Sequence, residues 1–235
     1  MYQDARPERD YRQLAIVGSL VFSSALAVLL LVVRVVHTHS LAHADMAWNL
    51  FLAWLPLISS LAAYNMARRR NRASWLVVAG CAFIWLLFFP NAPYIVTDIG
   101  NLRPHSSAPF WYDVLMYVVF AWTGTFLGLV SLYLMQALVR QLKGVRASWL
   151  FAAVVLALSG FGVYLGRFPR YNSWDLFTSP LSLLADIWYR LSHPMANSQM
   201  FVFSALFSLF LMSSYLILVA FVQLQREPQG EPQRN

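Results

Sequence analysis

The chain has 235 residues, of which 59% are hydrophobic and 11% charged, with a formal net charge of +7 and a mean hydropathy of +0.55. Soluble domains carry roughly 25% charged residues, so this composition indicates a membrane protein and excludes an ordinary soluble domain. The single cysteine, Cys81, sits in an apolar run, which excludes an intrachain disulfide and a thiolate metal site.

Residues 1–13 alternate in charge and are expected to form a solvated tail. Leu14 to Val33 is then free of charge and long enough to cross a hydrocarbon core of about 30 Å. Arg34 closes this span, where a long side chain is expected to snorkel to the headgroups. Ala42-His43-Ala44 resembles a signal-peptidase site. The apolar run is too long for a signal peptide, however, and Arg34 intervenes, so the segment is read as a span. The second span is expected from about Ala47 to Tyr64 with a kink at Pro56, the third from Ser74, the fourth over Val114 to Val139, and the fifth over Ser148 to Gly166. The last runs from Met200 to about Gln223, before a polar tail over 225–235 that is expected to be disordered. The fold class is thus all-α: one helical transmembrane domain over 14–224 with about six spans.

Two stretches depart from this pattern. Ser74 to Phe89 covers roughly 24 Å at 1.5 Å per residue, short of a full crossing. Continuing through Pro90, Asn91, Ala92 and Pro93 to Val96 completes it, and the prolines predict a break near the outer end. Broken helices at membrane depth occur where the freed backbone lines a cavity or is buried in protein. Helix resuming after Pro93 would put Tyr94 and Asp98 on one face, with Asn91 as a cap. Between Pro180 and Leu191, Leu181, Leu184, Trp188 and Leu191 recur at helical spacing against Asp186 and Arg190. That pattern predicts a short helix lying in the interface plane.

The arginines and lysines orient the spans. With the N-terminus inside, twelve fall on the cytoplasmic side, including Arg68, Arg69, Arg70, Arg72, Arg140, Lys143 and Arg146. Only Arg34, Arg103, Arg167, Arg170 and Arg190 fall outside, so both termini are expected to be cytoplasmic. The surplus charge resides in loops 65–73 and 140–147 and faces the anionic inner leaflet. The partner this implies is the lipid bilayer; no folded basic face is present to bind nucleic acid.

The same topology gathers Asp98, Asp113, Asp175 and Asp186 on the outer side with Arg103, Arg167, Arg170 and Arg190. Charged groups at membrane depth are costly unless partnered, so these segments are expected to converge. Arg167 and Arg170, three residues apart, suit bidentate binding of phosphate or carboxylate. Pairing with the aspartates is the competing use. Gly124-x-x-x-Gly128 and Gly162-x-x-x-Gly166 are read as close packing of the fourth and fifth spans. His39 and His43 with Asp45 offer a weak zinc spacing, but a lone cluster in a short loop is more often solvated, and no metal or other cofactor is assigned.

The runs NAPYIVTD, PFWYD and above all GRFPRYNSWD resemble the bacterial integral membrane family called domain of unknown function 1361, over roughly residues 14–224. The resemblance implies a multi-span protein of the bacterial inner membrane. It marks Asn91, Pro93, Tyr94, Thr97, Asp98, Asp113, Arg167, Arg170, Asn172, Trp174 and Asp175, and it implies no activity.

Three functions remain open on the sequence. A transferase or hydrolase at the outer face would hold a lipid-linked or anionic substrate with Arg167 and Arg170, aided by Asn91, Tyr94, Thr97, Asn172, Trp174 and Asp175. Asp98 or Asp113 would act as base or metal ligand. A binding, assembly or sensor protein would use the same residues without chemistry, with protein partners the sequence does not name. Ion-coupled transport is disfavoured, because the spans carry no charged residue within them.

Overall fold

The computed structural model describes residues 5–69, 72–102 and 108–224, which form helices and no strand. Arg70, Arg103, His105, Arg226, Arg234 and the tail beyond Leu224 lie outside the described residues. Helix α1 (Ala5–Thr38) begins well before the expected span, so part of the expected tail is helical. Helix α2 (Asp45–Ala67) continues through a buried Pro56. Helix α3 (Arg72–Phe88) has 17 residues, about 26 Å, and falls short of a crossing as its length predicts. The pass is completed by a single turn, α4 (Asn91–Tyr94), and a 3-10 segment, Ile95–Asn101. The break expected at the prolines is present.

Helix α5 (Phe110–Arg167) is 58 residues long with one non-helical residue, Gly144, at φ 86° and ψ 178°. A positive φ of this size is open to glycine without a Cβ clash. The chain folds back there. A Cβ on Gly124, in the first arm, would sit 2.6 Å from the Ala92 carbonyl, and one on Gly162, in the second, 2.9 Å from the Pro90 ring. Positions 20 residues before and 18 after Gly144 therefore meet the same short turn. Trp85 also touches both arms, donating from Nε1 to Ser131 Oγ (3.1 Å) and stacking on Phe151. Two short helices, α6 (Asp175–Thr178) and α7 (Pro180–Ser192), lead into α8 (Ser198–Leu224).

Among the described residues five helical stretches are long and apolar enough to cross a membrane, with Ala73–Asn101 counted as one, and since α5 makes two passes the chain makes six. Successive passes run antiparallel. Ser23 meets Thr123 (2.6 Å) and Tyr112 donates to the Leu30 carbonyl (2.7 Å), setting α1 against the first arm of α5. Met200 packs with Tyr164 and Leu165, and Tyr215 donates to Gln136 Oε1, setting α8 along both arms. One apolar core runs from Ala63, Val78, Leu138, Ala152 and Val219, at the end that holds the Gly144 turn, up to Phe89 and Val163. Another joins Leu31, Met46, Ala92, Ile95, Met116 and Tyr117 at the opposite end. The first end carries Arg68, Arg69, Arg140, Lys143 and Arg146; the second carries the broken pass.

The small-residue faces pack as expected, but the partner differs. Gly124 and Gly128 receive Ala92, and Gly162 and Gly166 receive Pro90 and Tyr94. The glycines make room for the broken pass between the two arms, where a Cβ would meet its backbone or side chains. Gly160 accommodates α8 at Ser204 and Ser208.

Candidate functional site

The break in the third pass dictates the local chemistry. The last carbonyls of a helix lack intrahelical donors, and proline removes further ones. Here two side chains supply them. Asn91 Nδ2 donates to the Phe88 carbonyl (3.2 Å), and Ser173 Oγ donates to the Leu87 carbonyl (3.1 Å). Asn91 Nδ2 also donates to Ser173 Oγ (2.9 Å), tying the two motif segments together. Asn91 thus serves the carbonyl end of α3 rather than capping the resumed helix. Thr97 turns inward on its own segment, donating to the Tyr94 carbonyl (2.7 Å).

One turn further on, Asp98 is buried and accepts from Asn49 Nδ2 (3.0 Å) and Asn101 Nδ2 (3.5 Å). Arg167 Nη1 lies 3.6 Å from Asp98 Oδ1, while Nη2 donates to Asn101 Oδ1 (2.7 Å). The convergence of Asp98 with Arg167 expected from the sequence is therefore present.

Beside this cluster is a cavity of about 270 Å³. Its polar wall is Asn49, Asn91, Tyr94, Asn172 and Ser173, and its apolar wall includes Leu52, Leu87, Leu165, Leu176 and Leu183. Trp48, Tyr171, Pro90, Gly162 and Gly166 also line it, and among the described residues no charged side chain does. The Tyr94 ring is seated against Gly166, where a Cβ would approach it to 3.2 Å.

The other expected members go elsewhere. Asp113 does not join Arg167; it is buried against Arg34, with Nε to Oδ1 at 2.7 Å and Nη2 to Oδ2 at 3.4 Å. Arg34 does not snorkel. It is 2% exposed, because its span packs at that level against the start of α5 rather than ending at the surface. Asp175 bends back on its own loop, accepting the Asn172 N–H (2.7 Å) and the Thr178 hydroxyl (3.4 Å). Arg170 is exposed in left-handed backbone (φ 64°) and is paired with no aspartate among the described residues. Trp174 is exposed, and Asp186 pairs along α7 with Arg190 (2.7 Å), which reaches Tyr164 (3.3 Å). Near Arg34, His43 Nδ1 meets the Tyr117 hydroxyl at 2.7 Å. Burial, with Arg34 nearby, holds the His43 imidazole below its usual pKa. Among the described residues no group of three His, Cys, Asp or Glu side chains is placed to hold a metal.

A family model described as protein of unknown function (DUF1361) matches residues 48–214. The chain belongs to the DUF1361 family. No curated protein and no solved structure matches it. The DUF1361 segment takes in the whole cavity lining and the Asp98–Arg167 pair, whereas Arg34 lies before it. The protein is an integral membrane protein of a family whose function is unknown.

Sequence reasoning missed Trp48, Asn49, Ser173 and Arg34 as members of these arrangements. Asn49 and Trp48 carry no motif of their own; only the packing of α2 against the broken pass brings them in. Ser173 had a signal. It sits in the NSWD run, and a helix broken by two prolines leaves carbonyls that some hydroxyl or amide must satisfy.

Proposed function

We propose that this DUF1361 protein binds an amphipathic, lipid-linked molecule in the cavity between its broken third pass and residues 165–173, on the extracytoplasmic side of the membrane. The observation that carries the reading is the two-sided wall: amides and hydroxyls on one side and leucines on the other, at the end of the bundle away from its basic turns. Small-molecule sites are concave and mostly apolar, with a few convergent polar groups. Helix α7 supports the same reading. Leu183 is buried, whereas Leu181, Leu184 and Trp188 point away from the protein at 82%, 56% and 74% exposure. An outward apolar face on a helix too short to span suits the lipid–water boundary, and Leu183 brings that helix to the cavity.

Binding without chemistry is favoured over hydrolysis or transfer. Asp98 sits behind Asn49 and Asp113 is locked by Arg34, so neither candidate base lines the cavity. Native mass spectrometry of protein purified in mild detergent tests this. The wild type should retain a bound lipid that Asn172→Trp loses, since Asn172 lines the cavity and its side chain makes no hydrogen bond among the described residues. Equal retention overturns the reading. For orientation, an impermeant thiol reagent on intact cells should label Asn172→Cys and not Lys143→Cys in a Cys81→Ala background. The reverse pattern overturns the extracytoplasmic placement.

A further inference from the structure

The geometry points to a headgroup class: the cavity recognises an uncharged, hydroxyl-rich group of the glycosyl type and discriminates against phosphate. This inference rests on the lipid-binding reading above and adds to it what the polar end of the ligand must be. At about 270 Å³ the cavity lies just below the roughly 300–1,000 Å³ of drug-sized sites, room for one headgroup rather than a whole lipid.

The amides are already oriented by the protein. Asn49 spends one N–H of its Nδ2 on Asp98, and Asn91 spends both of its own on the Phe88 carbonyl and Ser173. Each is left with its Oδ1, an acceptor, free of protein partners among the described residues. Two fixed acceptors repel a phosphate or carboxylate, which offers only acceptors in return. Asn172 keeps both ends of its side chain free, and the Trp48 indole N–H is likewise uncommitted. The cavity therefore presents acceptors and donors together. A hydroxyl is the group that uses both, since it donates once and accepts twice.

An ammonium headgroup would be drawn by the acceptors alone, but it would waste the donors and find no net negative charge. Asp98, behind Asn49, is already faced by Arg167, and Asp175 is turned onto the Asn172 N–H and the Thr178 hydroxyl. Trp48 and Tyr171 supply aromatic surface in the same wall. Ring C–H groups of a sugar pack on such faces, while its hydroxyls reach the amides. Arg170, the exposed cation next in the chain, is not part of the lining and plays no role in this recognition.

The test offers purified protein in nanodiscs three lipids with identical acyl chains: monoglucosyl diacylglycerol, phosphatidylglycerol and phosphatidylethanolamine. Retention after dilution is read by native mass spectrometry. The glucosyl lipid should be preferred over both phospholipids by about tenfold, the equivalent of roughly 1.4 kcal/mol. Trp48→Ala and Asn172→Ala should each erode that preference, and Arg170→Ala should leave it intact. Preference for phosphatidylglycerol or phosphatidylethanolamine that is lost in Asn172→Trp overturns the glycosyl assignment while the lipid-binding reading stands. Retention of no lipid, or retention unaffected by Asn172→Trp, overturns both. Trp48 and Asn172 are exposed positions without side-chain hydrogen bonds among the described residues, so their variants are expected to fold.

Discussion

Two arginines at the same end of the bundle each face an aspartate, and the two pairs are built differently. Arg34 and Asp113 meet at 2.7 Å with side chains 2% and 3% exposed. Arg167 and Asp98 stand 3.6 Å apart; Asp98 is equally buried, but Arg167 is 23% exposed, and the carboxamides of Asn49 and Asn101 bond to the pair. The first pair joins α1 to α5 and leaves no cavity lining behind it. The second sits behind a cavity and orients its wall. The same charge chemistry is used once as a lock and once as scaffolding for a recess. The difference lies in whether the surrounding helices close over the pair or stand apart around a broken one.

The largest expected effect tests the lock. Asp113→Ala strands a buried guanidinium, and unfolding in detergent should show a loss of roughly 3–5 kcal/mol. Replacing both partners with leucine should recover most of that loss, since a packed apolar pair avoids the desolvation cost. A second measurement tests what holds the recess open. In Gly124→Val the new Cβ would sit 2.6 Å from a backbone carbonyl, so the broken pass must shift at a cost of about 1–3 kcal/mol. Gly18→Ala, with nothing within 4 Å, should cost nothing measurable.

Arg167→Ala sharpens the contrast. Asn49 and Asn101 still donate to Asp98, so stability should fall by only about 1–2 kcal/mol while lipid retention drops. A loss as large as that of Asp113→Ala would show that both pairs are locks. The smallest effect concerns pH. Burial lowers the folded pKa of His43 below 6.5, with Arg34 lowering it further and Asp113 and Asp45 opposing. The folded state therefore favours the neutral ring. Its contribution is present above the unfolded pKa and is lost as pH falls through the lowered folded value. The melting temperature should decline below about pH 6.5, and the decline should shrink in His43→Gln. An unchanged slope in that variant would assign the pH dependence to another group.

The bundle was legible because its signals are local. Charge-free stretches of 20 residues, clustered basic turns and the Pro90–Pro93 break each follow from bilayer thickness or backbone chemistry acting on adjacent residues. The convergence of Asp98 with Arg167 followed as well, because a buried charge needs a partner and both lie at the same end of the bundle. Assigning Asp113 to the same cluster failed for a related reason. The balance of charges limits which pairs can form, but Arg34 looked like an ordinary span-ending arginine, and pairing is decided by which helices touch.

By itself, the sequence determined an all-helical membrane protein of six passes, broken in the third, with its basic turns at one end and its unusual polar residues at the other. Hydrophobic length and proline chemistry act along the chain, and that is where such signals can be read. Only the tertiary structure decided that Ser173 and Asn91 would satisfy the broken helix, that Gly124 and Gly162 would make room for it, and that Trp48 and Asn49 would wall the recess beside it. Those contacts join residues tens of positions apart through steric fit and hydrogen-bond geometry, and neither leaves a periodic trace in the chain.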